Sequence, residues 1–130
     1  MSLATSRDNR PYAAALFYAS DGLILYFLSS PRSEHSLNIS LNPGVAATIN
    51  AEYSDWKDIR GLRIIGKARM MREEEAGPAR AAFENKYPFL AGLLESSETQ
   101  PGIRDFAFFK ITPETIRLID NRVYFGFRTE

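Results

Sequence analysis

The feature that most restricts the fold of this chain is a pair of apolar segments separated by an Asp-Gly turn signal. Residues 12–19 are rich in Ala, Leu, Phe and Tyr, and residues 23–28 are almost entirely apolar, with Ser20, Asp21 and Gly22 between them. Two apolar segments around an Asp-Gly pair predict a β-hairpin. The second segment hardly alternates with polar residues, which indicates a strand buried on both faces. Antiparallel pairing is therefore expected near the start of the chain.

The rest of the chain also divides into short segments, because Pro and Gly recur at fairly regular intervals. A short helix is predicted to begin after Ser33, a favourable N-cap residue, with Leu37 and Leu41 on one face. Two strands are predicted next, at residues 45–51 and 59–71. A helical segment follows from Glu73 to Pro88, with a shorter piece carrying Phe89, Leu90, Leu93 and Leu94, and then a loop at 96–102. The last predicted segments are strands at 105–111 and 115–119 around a turn at 112–114, and an aromatic terminal extension at 123–127. Successive strands with short links and few helices favour an antiparallel barrel over a doubly wound sheet.

The longest predicted strand, residues 59–71, shows a clear alternation of side chains. The even-numbered positions are expected to face a tight interior and are Leu62, Ile64, Gly66, Ala68 and Met70. Gly61 and Gly66 are expected at bulges or where two backbones approach closely.

Composition restricts the function as well as the fold. The 130 residues fit one domain, 1–130, and 16 basic residues balance 16 acidic ones, so a broad nucleic-acid-binding face is not expected. With no cysteine and a single histidine, His35, neither a thiolate nucleophile nor a multi-histidine metal site is expected. No apolar run is long enough for a membrane span, and the first residues do not resemble a leader, so a soluble cytoplasmic protein is expected. Difficult chemistry would then fall to a bound cofactor.

The first candidate site lies where the buried strand of the hairpin runs into the short helix. Hydroxyl and basic side chains are concentrated there, namely those of Ser29, Ser30, Arg32, Ser33 and His35. Free N–H groups and the dipole at a helix start favour anions, so this cluster could hold a phosphate monoester. The alternative is purely structural, with Ser33 as a cap and Arg32 and His35 as surface residues. Ser33 and His35 are two residues apart and would not face each other on a helix, which argues against a nucleophile–base pair.

A second candidate site is the segment at residues 55–61. Trp56 offers a planar apolar surface and Arg60 a positive fork, which could contact an aromatic cofactor or its polar edge. The alternative is a core tryptophan beside a surface arginine.

The order of these segments resembles the pyridoxamine 5′-phosphate oxidase-like flavin-binding split-barrel proteins, in particular their small uncharacterised branch. The likeness extends over nearly the whole chain. It rests on Arg10-Pro11-Tyr12-Ala13, the run from Gly22 to Ser30, Ser33-Glu34-His35, Asn38, Asn42-Pro43-Gly44-Val45-Ala46, the run from Asp55 to Gly61, and Asp120-Asn121 followed by Phe125-Gly126-Phe127.

This resemblance implies a mainly β fold, a six-stranded antiparallel split β-barrel that forms a homodimer with FMN in clefts at the subunit interface. By position, Ser29, Ser30, Ser33 and His35 match residues on the phosphate side, with Arg32 close by. Leu16, Phe17 and Tyr18 match the segment along the isoalloxazine ring, and Arg60 and Gly61 match the segment near the polar edge of the ring.

Some positions depart from the oxidase and narrow the expected function. The oxidase has a basic pair after the helix-start serine, where this chain has Glu34-His35, and a glutamine where this chain has Gly61. The C-terminal substrate-binding segment of the oxidase is also not expected here. The resemblance therefore implies an FMN-binding oxidoreductase of unknown substrate, and not pyridoxamine phosphate oxidation. The alternatives are a deazaflavin or haem-type ligand in the same barrel, or a non-catalytic binding or stress-related module.

Overall fold

The alternation of short apolar segments and turns produces a mainly β fold in the computed structural model, which describes residues 1–90, 92 and 105–130. The described part contains eight strands, two α-helices and two 3₁₀ turns. The strands are β1 (Ser2–Arg7), β2 (Arg10–Ala15), β3 (Tyr18–Asp21), β4 (Ile24–Ser29), β5 (Gly44–Asn50), β6 (Arg60–Met70), β7 (Ala107–Asp120) and β8 (Arg128–Thr129). The helices are α1 (Glu34–Leu41) and α2 (Gly77–Lys86), and the 3₁₀ turns are Trp56–Asp58 and Glu73–Glu75.

The predicted hairpin is confirmed by β3 and β4. They pair antiparallel with Asp21 opposite Ile24, and Gly22 has a φ of +58°, a conformation that glycine adopts at no steric cost. The helix predicted after Ser33 is also confirmed as α1. Its buried face consists of His35, Ser36, Asn38 and Ile39, so the predicted face of Leu37 and Leu41 is largely exposed.

The sheet is one antiparallel path in the order β2-β1-β5-β6-β7-β4-β3, with β8 beside β7. Within the residues described, no hydrogen-bonded ladder joins the end strands β2 and β3, so the sheet is not closed. Those end strands are nevertheless consecutive in the chain, with only Leu16 and Phe17 between them. The two ends of the sheet therefore meet through the covalent chain at residues 16–17.

The predicted strand count of six is wrong, because the described residues contain eight strands. Residues 12–19 divide into β2 and β3, and β1 was not predicted because only Leu3 and Thr5 of its six residues are buried. A tight turn joins β1 to β2. Its two central residues, Asp8 and Asn9, have φ values of 52° and 61°, as a type I′ hairpin turn requires.

The predicted turn at residues 112–114 is also wrong, because β7 is one continuous strand. Its register with β6 shifts between Ile65 and Gly66, and Pro113 lies opposite Gly66 at that irregularity. Proline lacks the N–H that a regular ladder uses, so a bulge is where a strand tolerates it. Pro113 therefore marks a bulge and not a chain reversal.

The core lies in two clusters on the two sides of this sheet. The larger one includes Leu3, Phe27, Ile64, Phe109 and Ile111. The smaller one lies under α2 and includes Tyr26, Phe83 and Phe108. In β6 the predicted interior positions Ile64, Gly66 and Ala68 are buried, whereas Met70 is exposed. Leu93, Leu94 and the loop predicted at residues 96–102 lie outside the described residues.

Candidate functional site

The predicted anion site at the junction of β4 and α1 is a closed hydrogen-bond network. Ser33 caps α1, and its Oγ donates to the Ser30 carbonyl at 2.9 Å and lies 3.1 Å from His35 Nε2. Ser29 Oγ lies 2.6 Å from the same histidine nitrogen. Ser36 Oγ lies 2.7 Å from Ser33 Oγ and donates to the Ser30 carbonyl at 2.8 Å. Three of the five side chains predicted to bind an anion, those of Ser29, Ser33 and His35, are therefore bound to one another.

His35 is a neutral, buried member of this network. Only 6% of the residue is exposed, and its ring centroid lies 6.1 Å from that of Phe27 and 6.5 Å from that of Tyr12. Burial lowers the pKa of His35 below its usual value near 6.5. Nε2 contacts hydroxyl groups, and Nδ1 is buried without a hydrogen-bond partner in the part of the chain described. His35 therefore contributes no positive charge at neutral pH.

The prediction that Ser33 and His35 do not face each other is wrong. Ser33 has an extended backbone as the N-cap, with φ −65° and ψ 155°, so its side chain folds over the first turn to reach the imidazole. This contact does not make an activated nucleophile. Both Ser29 and His35 are buried, and within the described residues no third group bonds Nδ1 to orient the ring, as a catalytic triad requires.

Two cations near the junction, Arg32 and Arg7, are already paired with carboxylates. Arg32, whose side chain is 79% exposed, forms an ion pair with Asp105, and Arg7 lies 3.3 Å from Glu34. Glu34 is in the first turn of α1, where its negative charge complements the helix dipole. The formal charge of these four side chains sums to zero.

These observations decide how well the junction fits the phosphate of FMN. Proteins hold a phosphate with cationic side chains and with free N–H groups at a helix start. Here the imidazole is neutral, and the side chains of Arg7 and Arg32 bind carboxylates. The charged side chains on the phosphate side of the predicted site therefore do not fit a phosphate dianion.

The predicted ring-side segment lies at the opening between β2 and β3. Phe17 is 71% exposed, and its ring lies edge-on to that of Tyr87 at 5.5 Å between centroids. The carbonyl of Tyr18 accepts hydrogen bonds from Tyr87 Oη and Lys86 Nζ, both at 2.8 Å. Residue 18 is therefore anchored to α2, while the neighbouring Phe17 presents an aromatic face to solvent.

The predicted Trp56 position packs against the C-terminal turn. Trp56 is 54% exposed, and its ring lies 5.8 Å from that of Phe125. Asn121 holds the two segments together, because its Nδ2 donates to the Trp56 carbonyl and its Oδ1 accepts from the N–H of Gly126. Trp56 is thus a half-exposed aromatic group in a fixed position, and not a core residue.

Arg60 and Gly61 begin β6 in a tightly packed backbone region. A Cβ on Gly61 would lie 3.0 Å from the backbone carbonyl oxygen of Ile49, which confirms the predicted close approach of two backbones. Arg60 is exposed and lies opposite Asp120 in the β6–β7 register. The Arg122 guanidinium lowers the pKa of the Asp120 carboxyl to about 2, so this carboxylate is charged and already paired.

The structure therefore brings only part of the predicted site together. Ser29, Ser30, Ser33 and His35 form one network, whereas the Arg32 side chain pairs with Asp105 outside it. No hydrogen bond or ion pair in the described part of the chain joins that network to the Phe17 segment or to the Trp56 segment. Three residues that contact predicted site residues were not predicted, namely Ser36, Asp105 and Asn121. Ser36 follows the N-cap by three residues, a recognisable capping distance, but Asp105 is 73 residues from Arg32 and gives no local signal.

The His35 network predicts a measurable loss of stability in mild acid. The folded pKa of His35 is lowered, so below about pH 6.5 the unfolded chain takes up a proton that the folded chain does not. The free energy of unfolding should then fall by up to about 1.4 kcal/mol per pH unit until the folded pKa is reached. Urea denaturation of the protein and of His35→Gln between about pH 7.5 and 5.5 measures this. The same pH dependence in both proteins would contradict the assignment to His35.

The described residues contain neither a candidate metal site nor a helix that could span a membrane. No group of three or more His, Cys, Asp or Glu side chains there could hold a metal ion. None of the helices described is long and apolar enough to cross a membrane.

The antiparallel sheet, with its end strands joined at residues 16–17 and its polar junction between β4 and α1, defines a split-barrel type of β protein. The family model described as pyridoxamine 5′-phosphate oxidase matches residues 1–120, and the chain belongs to this family. A relative, UPF0306 protein YhbP of Escherichia coli O157:H7, is 26% identical over 122 residues, which cover 92% of this chain and 76% of that protein. The chain is thus a pyridoxamine phosphate oxidase-like protein and not the oxidase itself.

Solved structures with similar folds are named for different ligands. A heme binding protein from Mycobacterium smegmatis has a TM-score of 0.76 at 21% identity, covering 98% of this chain and 50% of that one. A putative pyridoxamine 5′-phosphate oxidase from Listeria innocua scores 0.67 at 24%, covering 92% and 86%. A FAD-binding protein from Mesorhizobium loti scores 0.68 at 19%, covering 90% and 80%. At these identities the likeness shows the fold alone.

Proposed function

We propose that residues 1–130 form a single split-barrel domain that binds a flavin at a homodimer interface and acts in the cytoplasm as an oxidoreductase of unknown substrate. FMN is the predicted form of the flavin. The observation that carries the proposal is the exposed aromatic face of Phe17 at the opening of the sheet, in a chain whose family match extends over residues 1–120. The FAD-binding fold neighbour supports it.

Exposed apolar groups on two parts of the described chain support the homodimer. Ala13, Ala4, Ala46 and Ile65 lie side by side across β2, β1, β5 and β6, and all four are exposed. The second part is the C-terminal turn, where Tyr124 and Phe125 are 63% and 75% exposed. Large exposed apolar patches mark interaction surfaces, so a second copy of the chain would cover these groups.

The ring of the flavin would contact residues 16–18, with Trp56, Arg60 and Gly61 at the second contact region. When bound, a flavin supplies hydride and single-electron transfer. The Phe17 and Trp56 side chains would offer apolar faces to a planar ring, and the Arg60 guanidinium would donate hydrogen bonds to polar ring atoms. Asp120 lies opposite Arg60 in the β6–β7 register, and its pairing with Arg122 keeps its carboxylate charged and in place.

A haem-type ligand is the second candidate, because one fold neighbour is a heme binding protein and another is a heme storage protein. The buried position of the single histidine favours flavin over haem. His35 Nε2 is bonded to Ser29, and His35 Nδ1 is buried, so neither nitrogen is available to an iron without opening the network.

Ligand titration tests the proposal. Trp56 is the only tryptophan, so its fluorescence reports binding near the second contact region. Flavin should quench it, the protein should purify with or acquire flavin absorbance, and haemin should bind more weakly. Phe17→Ala should weaken flavin binding by about three- to tenfold through the loss of one aromatic contact. Leu23→Ala, an equally exposed apolar residue at the β3–β4 turn, is the matched control. Absence of flavin binding, or tighter binding of haemin, would reject the proposal.

A further inference from the structure

The junction of β4 and α1 differs from what a phosphate-bearing flavin requires. The hydroxyls of Ser29, Ser33 and Ser36 have partners inside the network, and Ser30 Oγ accepts a hydrogen bond from the N–H of Arg32. Ser33 Oγ and Ser36 Oγ are within hydrogen-bond distance of the Ser30 carbonyl, and Ser29 Oγ is within 2.6 Å of the imidazole of His35. A phosphate entering here would have to break several of these bonds before it could accept any from the same groups.

Electrostatics at the junction give the same result as the hydrogen bonds. Arg32 and Arg7 each bind a carboxylate near the junction, Asp105 and Glu34 respectively. Glu34 stands in the first turn of α1, so a phosphate would approach a fixed negative charge. Like charges repel one another, and Glu34 already complements the positive end of the helix dipole.

We propose that this chain holds its flavin through the ring system and not through the phosphate, so that the Ser29–Ser33–His35 network joins β4 to α1 as a structural element. The inference rests on the proposed flavin function, and it specifies the ligand class as flavins that are recognised through their ring system. Riboflavin, which lacks the phosphate, then binds as tightly as FMN. A phosphate held by two charge-assisted hydrogen bonds would instead favour FMN by about a hundredfold or more.

The test is a pair of titrations, with FMN and with riboflavin, on the full chain at one ionic strength. We expect the two dissociation constants to agree within about tenfold, the factor that a single charge-assisted hydrogen bond already exceeds. We also expect added inorganic phosphate to leave the FMN affinity unchanged. A preference for FMN of about tenfold or more, or competition by inorganic phosphate, would overturn the inference while leaving the flavin function intact. Binding of neither flavin would reject the proposed function instead.

Two exposed arginines provide variants that should not disturb folding. Arg32→Ala removes a cation predicted beside the phosphate, and its side chain is mostly exposed and paired with Asp105 at the surface. Arg128→Ala removes an exposed arginine in β8 and is the control. We expect the ratio of the FMN and riboflavin dissociation constants to be the same in both variants and in the parent protein. A loss of FMN affinity in Arg32→Ala alone, with riboflavin unaffected, would overturn the inference.

Discussion

Replacing Gly66 by alanine is expected to destabilise the protein by about 3 kcal/mol or more and to lower the yield of folded protein sharply. A Cβ at this position would lie 2.3 Å from the Thr112 carbonyl oxygen and 2.9 Å from Pro113 Cα. Both atoms belong to the backbone of β7, so no side-chain rotation can relieve the overlap. The strands would have to separate where their register already shifts. Urea denaturation monitored by circular dichroism measures the loss.

Gly44→Ala is the matched control for that substitution. Gly44 is exposed in β5 and pairs with Lys67 of β6, and beyond its chain neighbours a Cβ built on it meets the Asn42 side-chain oxygen at 3.4 Å, an ordinary contact. Alanine restricts the unfolded chain more than glycine does, so the variant should be as stable as the parent or more stable by up to about 1 kcal/mol. Equal stability of Gly66→Ala and Gly44→Ala would show that the approach of β6 to β7 at Gly66 is less tight than the structure has it.

Gly66 also shows what could be predicted from the sequence and on what physical basis. The alternation in β6 comes from the two-residue period of a strand, which is a local property, so the interior positions of Ile64, Gly66 and Ala68 were predictable. The Asp-Gly signal and the serine N-cap are local in the same sense, and both are confirmed. A signal of this kind acts within a few residues and does not depend on the rest of the fold.

The features that could not be predicted depend on distant parts of the chain. The local sequence around Pro113 indicates a turn, but the pairing of β7 with β6 places Pro113 opposite Gly66 at a register shift. β1 has little apolar content and exists because it pairs with β2 on one side and β5 on the other. For this reason the count of strands was wrong although their antiparallel arrangement was predicted.

The candidate site divides in the same way. The residue types at the junction of β4 and α1 suit a phosphate, and their location beside a helix start was predicted from the sequence. Whether each side chain is free depends on tertiary contacts, such as that of Arg32 with Asp105, and on the burial of His35. Composition shows which groups exist, but charge and availability at a site are set by packing.

Phe27→Ala is expected to cost about 3–5 kcal/mol, because Phe27 is fully buried and stacks on Phe109 at 4.8 Å between centroids. Phe27→Leu keeps most of the apolar area and should cost about 1–2 kcal/mol. Chemical denaturation at neutral pH measures both. A cost for Phe27→Ala below that of Phe27→Leu would contradict the packing of the larger core cluster.

Phe27 also connects the core to the polar network, and this gives the substitution a second, independent effect. Its ring lies 6.1 Å from that of His35 and helps to exclude water from it. Opening a cavity there should let water reach the imidazole and raise the pKa of His35 towards its ordinary value, so the acid-dependent loss of stability should shrink. Phe83→Ala is the control, because Phe83 is 2% exposed but belongs to the cluster under α2. It should be destabilised without losing the pH dependence. If Phe27→Ala and Phe83→Ala keep the same pH dependence between about pH 7.5 and 5.5, then the burial of His35 does not depend on Phe27.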